Sequence, residues 1–296
     1  MVRHLTSIHD LSDVELVRVL DRAASYATDL RAHRDAFLGQ IVCTAFFEPS
    51  TRTRLSFEAA AHRLGARVIG FSDPALTSTS KGETLEDTIR MLAGYSDLVV
   101  MRHPKEGAAT AATKVSTVPI VNAGDGPGEH PTQMLVDLYT IRASLGHLKG
   151  VRVGLLGDLK FGRTIHSLVP ALRRMGAVPV QVPAPGLEIP PKVGAPVPIE
   201  TLEQAATDCD VLYVTRVQKE RFTDPAEYEK AKGSLIVTPE LLARTKSRAI
   251  VMHPLPRVDE IPPSLDATPA AKYFDQARNG IPVRMAVLST LLENVA

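Results

Sequence analysis

Gln40-Ile41-Val42-Cys43-Thr44-Ala45-Phe46 runs straight into Phe47-Glu48-Pro49-Ser50-Thr51-Arg52-Thr53-Arg54, which leads into Leu55-Ser56-Phe57-Glu58-Ala59-Ala60-Ala61-His62-Arg63-Leu64-Gly65. The first piece is an apolar β-type run. The last is a helix pattern that stops at a glycine. A strand joined to a helix by a short hydroxyl-rich turn is the opening unit of a parallel α/β sheet. The turn also carries chemistry. A helix N-terminus presents unpaired N–H donors and a partial positive charge, and this one adds three hydroxyls and a guanidinium. An arginine fork matches phosphate geometry better than a lysine does. Ser50, Thr51, Arg52 and Thr53 are therefore read as an anion cradle. The plainer alternative is a serine cap beside solvated arginines, but a cap uses only one hydroxyl.

The same alternation extends outward in both directions. A helix capped by Asp10 or Ser12 is expected through about Arg31, with Leu11, Val14, Leu16, Val17 and Leu20 on or near an apolar stripe. Strands are predicted at Arg67–Phe71, Asp97–Met101 and Val118–Asn122, with helices at Glu83–Tyr95 and from Pro131 to Gly146. The pattern then restarts with strands at Val151–Leu156, Val178–Val182, Val211–Thr215 and Ala249–Met252, and a helix at Arg163–Met175. The proline-rich stretch 183–198 reads as loop, and Asn279-Gly280 is expected to end one helix before Pro282–Val295 forms another. The predicted fold class is α/β: two doubly wound parallel-sheet domains joined by interdomain helices. The expected domains are residues 1–147, with the C-terminal helix 282–296 packing back on them, and residues 148–281.

Composition narrows the function classes. The chain has 296 residues, 44% of them hydrophobic and 23% charged, with a net charge of +1. A nucleic-acid-binding surface would show clustered excess base, so a small-molecule partner is expected instead. Cys43 and Cys209 lie far apart in apolar runs and read as reduced core residues of a cytoplasmic protein. The N-terminus lacks the pattern of a signal peptide, and no apolar segment is long enough to cross a bilayer. Gly154-Leu155-Leu156-Gly157-Asp158 brings a dinucleotide fold into consideration. The turn that follows, Leu159-Lys160-Phe161-Gly162, is too bulky and charged for a pyrophosphate fingerprint.

Further polar islands fall where a parallel sheet presents its strand ends. Ser78-Thr79-Ser80-Lys81-Gly82 resembles a mobile anion-binding loop. Arg102 follows a buried-type strand, and His130 and Gln133 sit at the start of a helix, about one turn apart. In the second half, Arg163 and Thr164 open a helix, and Arg216 and Gln218 follow a strand. Pro254-Leu255-Pro256 forms an extended loop whose carbonyls can accept from an amide NH₂. Two separated arginines suit a substrate with two carboxylates. No clustered cysteines or histidines suit a metal, and no cofactor is expected, so chemistry by positioning and electrostatics is predicted.

Taken in order, FEPSTRTRLSFE (47–58), SKGET (80–84), VMRHP (100–104), NAGDGPGEHPTQ (122–133), GDLKFGRTIHSL (157–168), YVTRVQKERF (213–222), HPLPRVDEI (253–261) and YFDQARNGIPVRM (273–285) resemble the aspartate carbamoyltransferases. The resemblance covers the chain almost end to end. It implies a homotrimer with active sites shared between neighbouring chains, one domain binding carbamoyl phosphate and the other aspartate. Ser50, Thr51, Arg52, Thr53 and Arg102 would bind the phosphate. Thr53, Arg102 and His130 would polarise the carbonyl. Gln133 with Pro254, Leu255 and Pro256 would hold the amino group. Arg163 and Thr164 would take the α-carboxylate of aspartate, and Arg216 with Gln218 its β-carboxylate. Ser78 and Lys81 would come from an adjacent subunit, with Ser80 competing for the serine's role.

Within the same superfamily, ornithine carbamoyltransferases share the STRTR turn. They typically carry a cysteine where this chain has His253-Pro254-Leu255-Pro256, and Arg216 would repel a cationic side chain. A non-catalytic relative acting as a binding partner is the remaining alternative, although every ligand position named here is suitably occupied. Regulatory chains or other pathway enzymes are possible partners; nucleic acid and membrane are not expected.

Overall fold

The computed structural model describes residues 3–293 except 74, 76, 218–223, 225, 227, 229, 230, 232 and 246. Two compact units are present: Met1–Tyr139 with Asn279–Ala296, and Thr140–Arg278. The first unit is built on strands β1 (Ile41–Phe46), β2 (Arg67–Phe71), β3 (Leu98–His103) and β4 (Ile120–Asp125), all pairing parallel in the order β2-β1-β3-β4. Its helices are α1 (Asp13–Thr28), α2 (Thr51–Arg63), α3 (Leu85–Tyr95), α4 (Ala108–Thr113) and α5 (Pro131–Leu145). Strands β1, β3 and β4 are buried almost throughout, which is why they read as continuous apolar runs. Cys43, Ala45, Val99, Met101 and Ile120 pack against Ile89 and Ala93 of α3 and Ala108 and Ala112 of α4.

The chain winds from β1 outward to β2, then returns to lay β3 and β4 on the other side. Such a reversal opens a crevice beyond the carboxyl ends of the two central strands. Register places Phe46 beside Arg102, so the α2 turn and the end of β3 share that crevice. The second unit repeats the plan with β5 (Arg152–Gly157), β6 (Val178–Pro183), β7 (Val211–Val214) and β8 (Ile250–Met252), parallel in the order β6-β5-β7-β8. Helices α6 (Arg163–Arg174), α7 (Leu202–Asp208) and α8 (Pro239–Arg244) belong to it, while α9 (Tyr273–Leu292) begins in it and runs on into the first unit from Asn279. Here the reversal lies between β5 and β7, and Leu156, Leu212, Val214 and Val251 form the core with Leu241 and Tyr273.

Two local expectations are corrected. The apolar side of α1 is Leu16, Val19, Leu20, Ala23 and Tyr26, while Val14 and Val17 are 61% and 41% exposed. The buried set follows the i, i+3, i+4, i+7 spacing, and the two valines fall outside it. Ser12 caps the helix in a reciprocal box with Glu15, and Asp10 instead accepts from the Thr6 and Ser7 N–H groups. At the other end, Asn279-Gly280 and Pro282 do not interrupt a helix: α9 is one continuous element through all three. Burial of Val283, Met285, Ala286, Val287, Leu288 and Leu291 outweighs the lost N–H and the glycine propensity. The expected helix end at Val295 lies outside the described residues. No helix among the described residues is long and apolar enough to cross a membrane.

Candidate active site

Ser50 occupies the N-cap position of α2, yet its side chain makes no capping hydrogen bond. The simple cap reading therefore fails, and the hydroxyl stays at the mouth of a helix whose first N–H groups point the same way. Thr53 is buried one turn in, at 7% exposure. The two arginines of the turn differ. Arg54 is held 3.4 Å from Glu58, whose carboxylate also accepts from Thr44. The Arg52 guanidinium makes no hydrogen bond or ion pair among the described residues, and desolvation lowers its pKa. Arg52 is thus the cation of the turn left to meet an anion.

Arg102, at the end of β3, is 9% exposed. Its Nη2 donates to Glu48 Oε1 at 2.7 Å and its Nη1 to the Ala123 carbonyl at 3.3 Å. A buried guanidinium held by two fixed acceptors is pre-oriented, so it need not be ordered at the moment of reaction. His130, 4% exposed, precedes α5 and supplies the carbonyl that accepts from Gln133 N and Met134 N. The segment leading to it is tied down: Asn122 donates to the Thr6 carbonyl, and Glu129 accepts from Ser7 Oγ and Ile8 N. Gln133, on the first turn of α5, donates through Nε2 to Asp137 Oδ1 at 2.8 Å.

In the second unit, Gly157 ends β5 at φ +103°, where an added Cβ would lie 2.2 Å from the Thr215 carbonyl oxygen. This glycine is required by the close approach of the chain after β7, which fits its failure to match a dinucleotide fingerprint. Thr215 Oγ1 donates to the Leu156 carbonyl, pinning the strand end just before Arg216. Gly157, Thr215, Arg216, Tyr228 and Glu260 line one cleft. Arg163 and Thr164 are half-buried at the start of α6, outside that lining. Gln218 lies outside the described residues. Leu255 has φ 57° and precedes a cis bond to Pro256; Pro254 and Leu255 are half-buried and Pro256 is exposed.

Ser78 and Lys81 sit on an exposed 3-10 turn, Ser78–Lys81, in the first unit. Among the described residues, no hydrogen bond or ion pair ties either side chain to the Ser50–Thr53 turn. The Ser80 hydroxyl is committed to the Thr77 carbonyl at 2.7 Å, which leaves Ser78 as the serine with a side chain to offer.

Sequence reasoning passed over Glu48, Asp137 and the pair His253–Glu260, each of which orients a predicted site residue. Asp137 had a signal: it lies four residues after Gln133 on one helix face. Glu48 had none, because its partner Arg102 is brought in by strand pairing.

The first part of the chain, residues 3–143, matches the family model described as aspartate/ornithine carbamoyltransferase, carbamoyl-P binding domain. Residues 149–291 match its companion, the Asp/Orn binding domain. The aspartate carbamoyltransferase catalytic subunit of Archaeoglobus fulgidus is 49% identical, covering 99% of this chain and 100% of that one. The corresponding subunit of Methanocella arvoryzae is 50% identical, with 98% and 97% covered. Among solved structures, the catalytic subunit of M. jannaschii aspartate transcarbamoylase aligns with a TM-score of 0.90 at 46% identity, over 99% of both chains. The Trypanosoma cruzi enzyme in complex with N-(phosphonacetyl)-L-aspartic acid aligns with a TM-score of 0.91 at 40% identity, over 97% and 94%. Two matching domains in the same order, and relatives alike over their full length, settle the lineage: this chain belongs to the aspartate/ornithine carbamoyltransferase family.

Proposed function

We propose that the chain is an aspartate carbamoyltransferase, moving the carbamoyl group of carbamoyl phosphate to the amine of L-aspartate to give N-carbamoyl-L-aspartate and phosphate. The observation that carries the choice of acceptor is Arg216, at the strand end beside Gly157, in the cleft of the second unit. Arginine there suits a second carboxylate and disfavours the cationic side chain of ornithine. Full-length relatives named as aspartate carbamoyltransferase catalytic subunits support the same choice.

Residue roles belong to the same proposal. Ser50, Thr51, Arg52 and Thr53 hold the phosphate. As the neutral amine attacks the carbamoyl carbon, charge grows on the carbonyl oxygen, and Thr53, Arg102 and His130 stabilise it more than in the ground state. The C–O bond to phosphate then breaks, and phosphate leaves with the electron pair and takes up the proton that the attacking amine gives up, still held by the turn. Gln133 accepts from the carbamoyl amino group. Arg163 and Thr164 take one carboxylate of aspartate and Arg216 the other, while Leu255 and Pro256 offer carbonyl acceptors. A cytoplasmic homotrimer in pyrimidine biosynthesis, with Ser78 and Lys81 of one chain serving its neighbour, completes the reading. The designation of the relatives as catalytic subunits supports regulatory partner chains.

The test is substrate-selective. Arg216→Ala is expected to raise the KM for aspartate by at least about tenfold, the loss of one charge-assisted pair, and to leave the KM for carbamoyl phosphate unchanged. An unchanged aspartate KM would overturn the assignment.

A further inference from the structure

Behind Gln133 lies a chain of buried polar groups that the reaction itself does not call on. Gln133 Nε2 donates to Asp137 Oδ1 at 2.8 Å, and Asp137 is fully buried. Arg284 of α9, only 4% exposed, is close enough for Asp137 to act on its charge. Its guanidinium stacks on the Phe57 ring of α2, 5.0 Å from the centroid. Room for it exists because residue 280 is glycine: a Cβ there would lie 2.2 Å from Arg284 Nη1. Burial lowers the pKa of Arg284 to about 10, and Asp137 opposes that shift. A buried cation and a buried carboxylate each compensate the other's charge.

The consequence lies in which way the Gln133 amide faces. An ionised carboxylate accepts hydrogen bonds and donates none, so only the NH₂ end of Gln133 can turn toward Asp137. The carbonyl Oε1 is thereby left as the outward end of a half-buried side chain. We propose that Asp137, supported by Arg284, is a positioning residue that locks Gln133 as a hydrogen-bond acceptor, and so makes this site select a transferable group bearing N–H donors over one bearing a methyl. This rests on the carbamoyl phosphate reading of the first unit. An amide free to flip would present its NH₂ as often as its oxygen, and a donor facing a donor is repelled.

Asp137→Asn tests the idea. The amide that replaces the carboxylate carries no charge for Arg284 to compensate and can offer either its oxygen or its NH₂ to Gln133, so the Gln133 amide is no longer held in one orientation. The measurements are KM for carbamoyl phosphate, the inhibition constant of acetyl phosphate, KM for aspartate and the melting temperature, on the full-length chain. Acetyl phosphate has the phosphate and carbonyl but a methyl in place of the amino group, so its affinity does not depend on the Gln133 orientation. The expected result is a rise of about tenfold in KM for carbamoyl phosphate, with acetyl phosphate affinity changed by less than about twofold. Equal weakening of both phosphates means Asp137 only maintains the fold, and no weakening of either means the amide orientation is irrelevant; each overturns the proposal. If Asp137→Asn does not fold, Gly280→Ala serves, since its methyl displaces the guanidinium while leaving Asp137 and Gln133 in place. The same selective loss supports the proposal, and equal or absent loss overturns it. Failure of the unsubstituted chain to carbamoylate aspartate would instead sink the functional reading on which this depends.

Discussion

Glu260 Oε1 lies 2.8 Å from His253 Nε2, in a ring whose Nδ1 accepts the Leu255 N–H at 2.7 Å. An accepting Nδ1 carries no proton, so Nε2 carries it and donates to the carboxylate. The His253 N–H in turn donates to Gln276 Oε1. One imidazole, its side chain 1% exposed, thus holds Leu255 at a positive φ that a leucine otherwise avoids. Burial alone would raise the pKa of Glu260, but the His253 hydrogen bond and backbone N–H donors together hold it below its ordinary value.

That depressed pKa gives a pH-dependent prediction. Stability from a lowered carboxylate is fully present above the unfolded-state value of 4.5 and is lost as pH falls through the folded value. Glu260→Gln is expected to cost about 1–2 kcal/mol in urea unfolding at pH 7. The difference from the unsubstituted chain should shrink steadily below pH 4.5. A difference that is constant with pH would show that the charge on Glu260 contributes nothing.

Ser50→Ala separates a ligand from a cap. Loss of a capping serine costs about 1 kcal/mol. Because Ser50 makes no capping bond, the substitution should change stability by less than about 0.5 kcal/mol while weakening inorganic phosphate binding severalfold. Calorimetric titration with phosphate, beside thermal melts, reads both effects. A lowered melting temperature with unchanged phosphate affinity would restore the cap reading.

Arg102→Ala and His130→Ala should each lower kcat by about 10²–10³, the usual cost of one lost oxyanion donor. The fold should survive, since Glu48 retains 29% side-chain exposure and can turn to water once Arg102 is gone. Steady-state turnover with circular dichroism on the purified variants checks both halves. Near-normal kcat in the two folded variants would remove these residues from the chemistry.

Gly157→Ala tests whether the glycine serves the backbone. Its φ of +103° and the 2.2 Å approach to the Thr215 carbonyl predict a loss of at least about 1–3 kcal/mol, read as a lower urea midpoint. Unchanged stability would mean that the strand end can move aside.

Much of this was legible because β1, β3, β5 and β7 are buried almost throughout, so each appears in sequence as an apolar run followed by its own polar island. Parallel order puts every such island at the same edge of its sheet, which is why the Ser50 turn and Arg102 share one crevice, while Arg163 at the start of α6 lies outside the lining of the cleft that holds Arg216. What escaped was nonlocal or atypical. The short helices α4 and α7 are too brief to show a period, and α9 runs through a glycine and a proline that propensity would treat as breaks. Glu48 reaches Arg102 only through the pairing of β1 with β3, and Gln133 reveals its orientation only once Asp137 and Arg284 are seen together.

On the proposed reading, the second unit selects aspartate and the first supplies the carbamoyl group. One comparison decides it: kcat/KM for carbamoyl transfer from carbamoyl phosphate to L-aspartate and to L-ornithine, measured side by side on the purified chain. We predict robust formation of N-carbamoyl-L-aspartate with at least about 10³-fold preference over ornithine, as expected when the wrong substrate sets a cation against Arg216. Comparable rates with ornithine, or no carbamoyl aspartate at saturating substrates, would refute it.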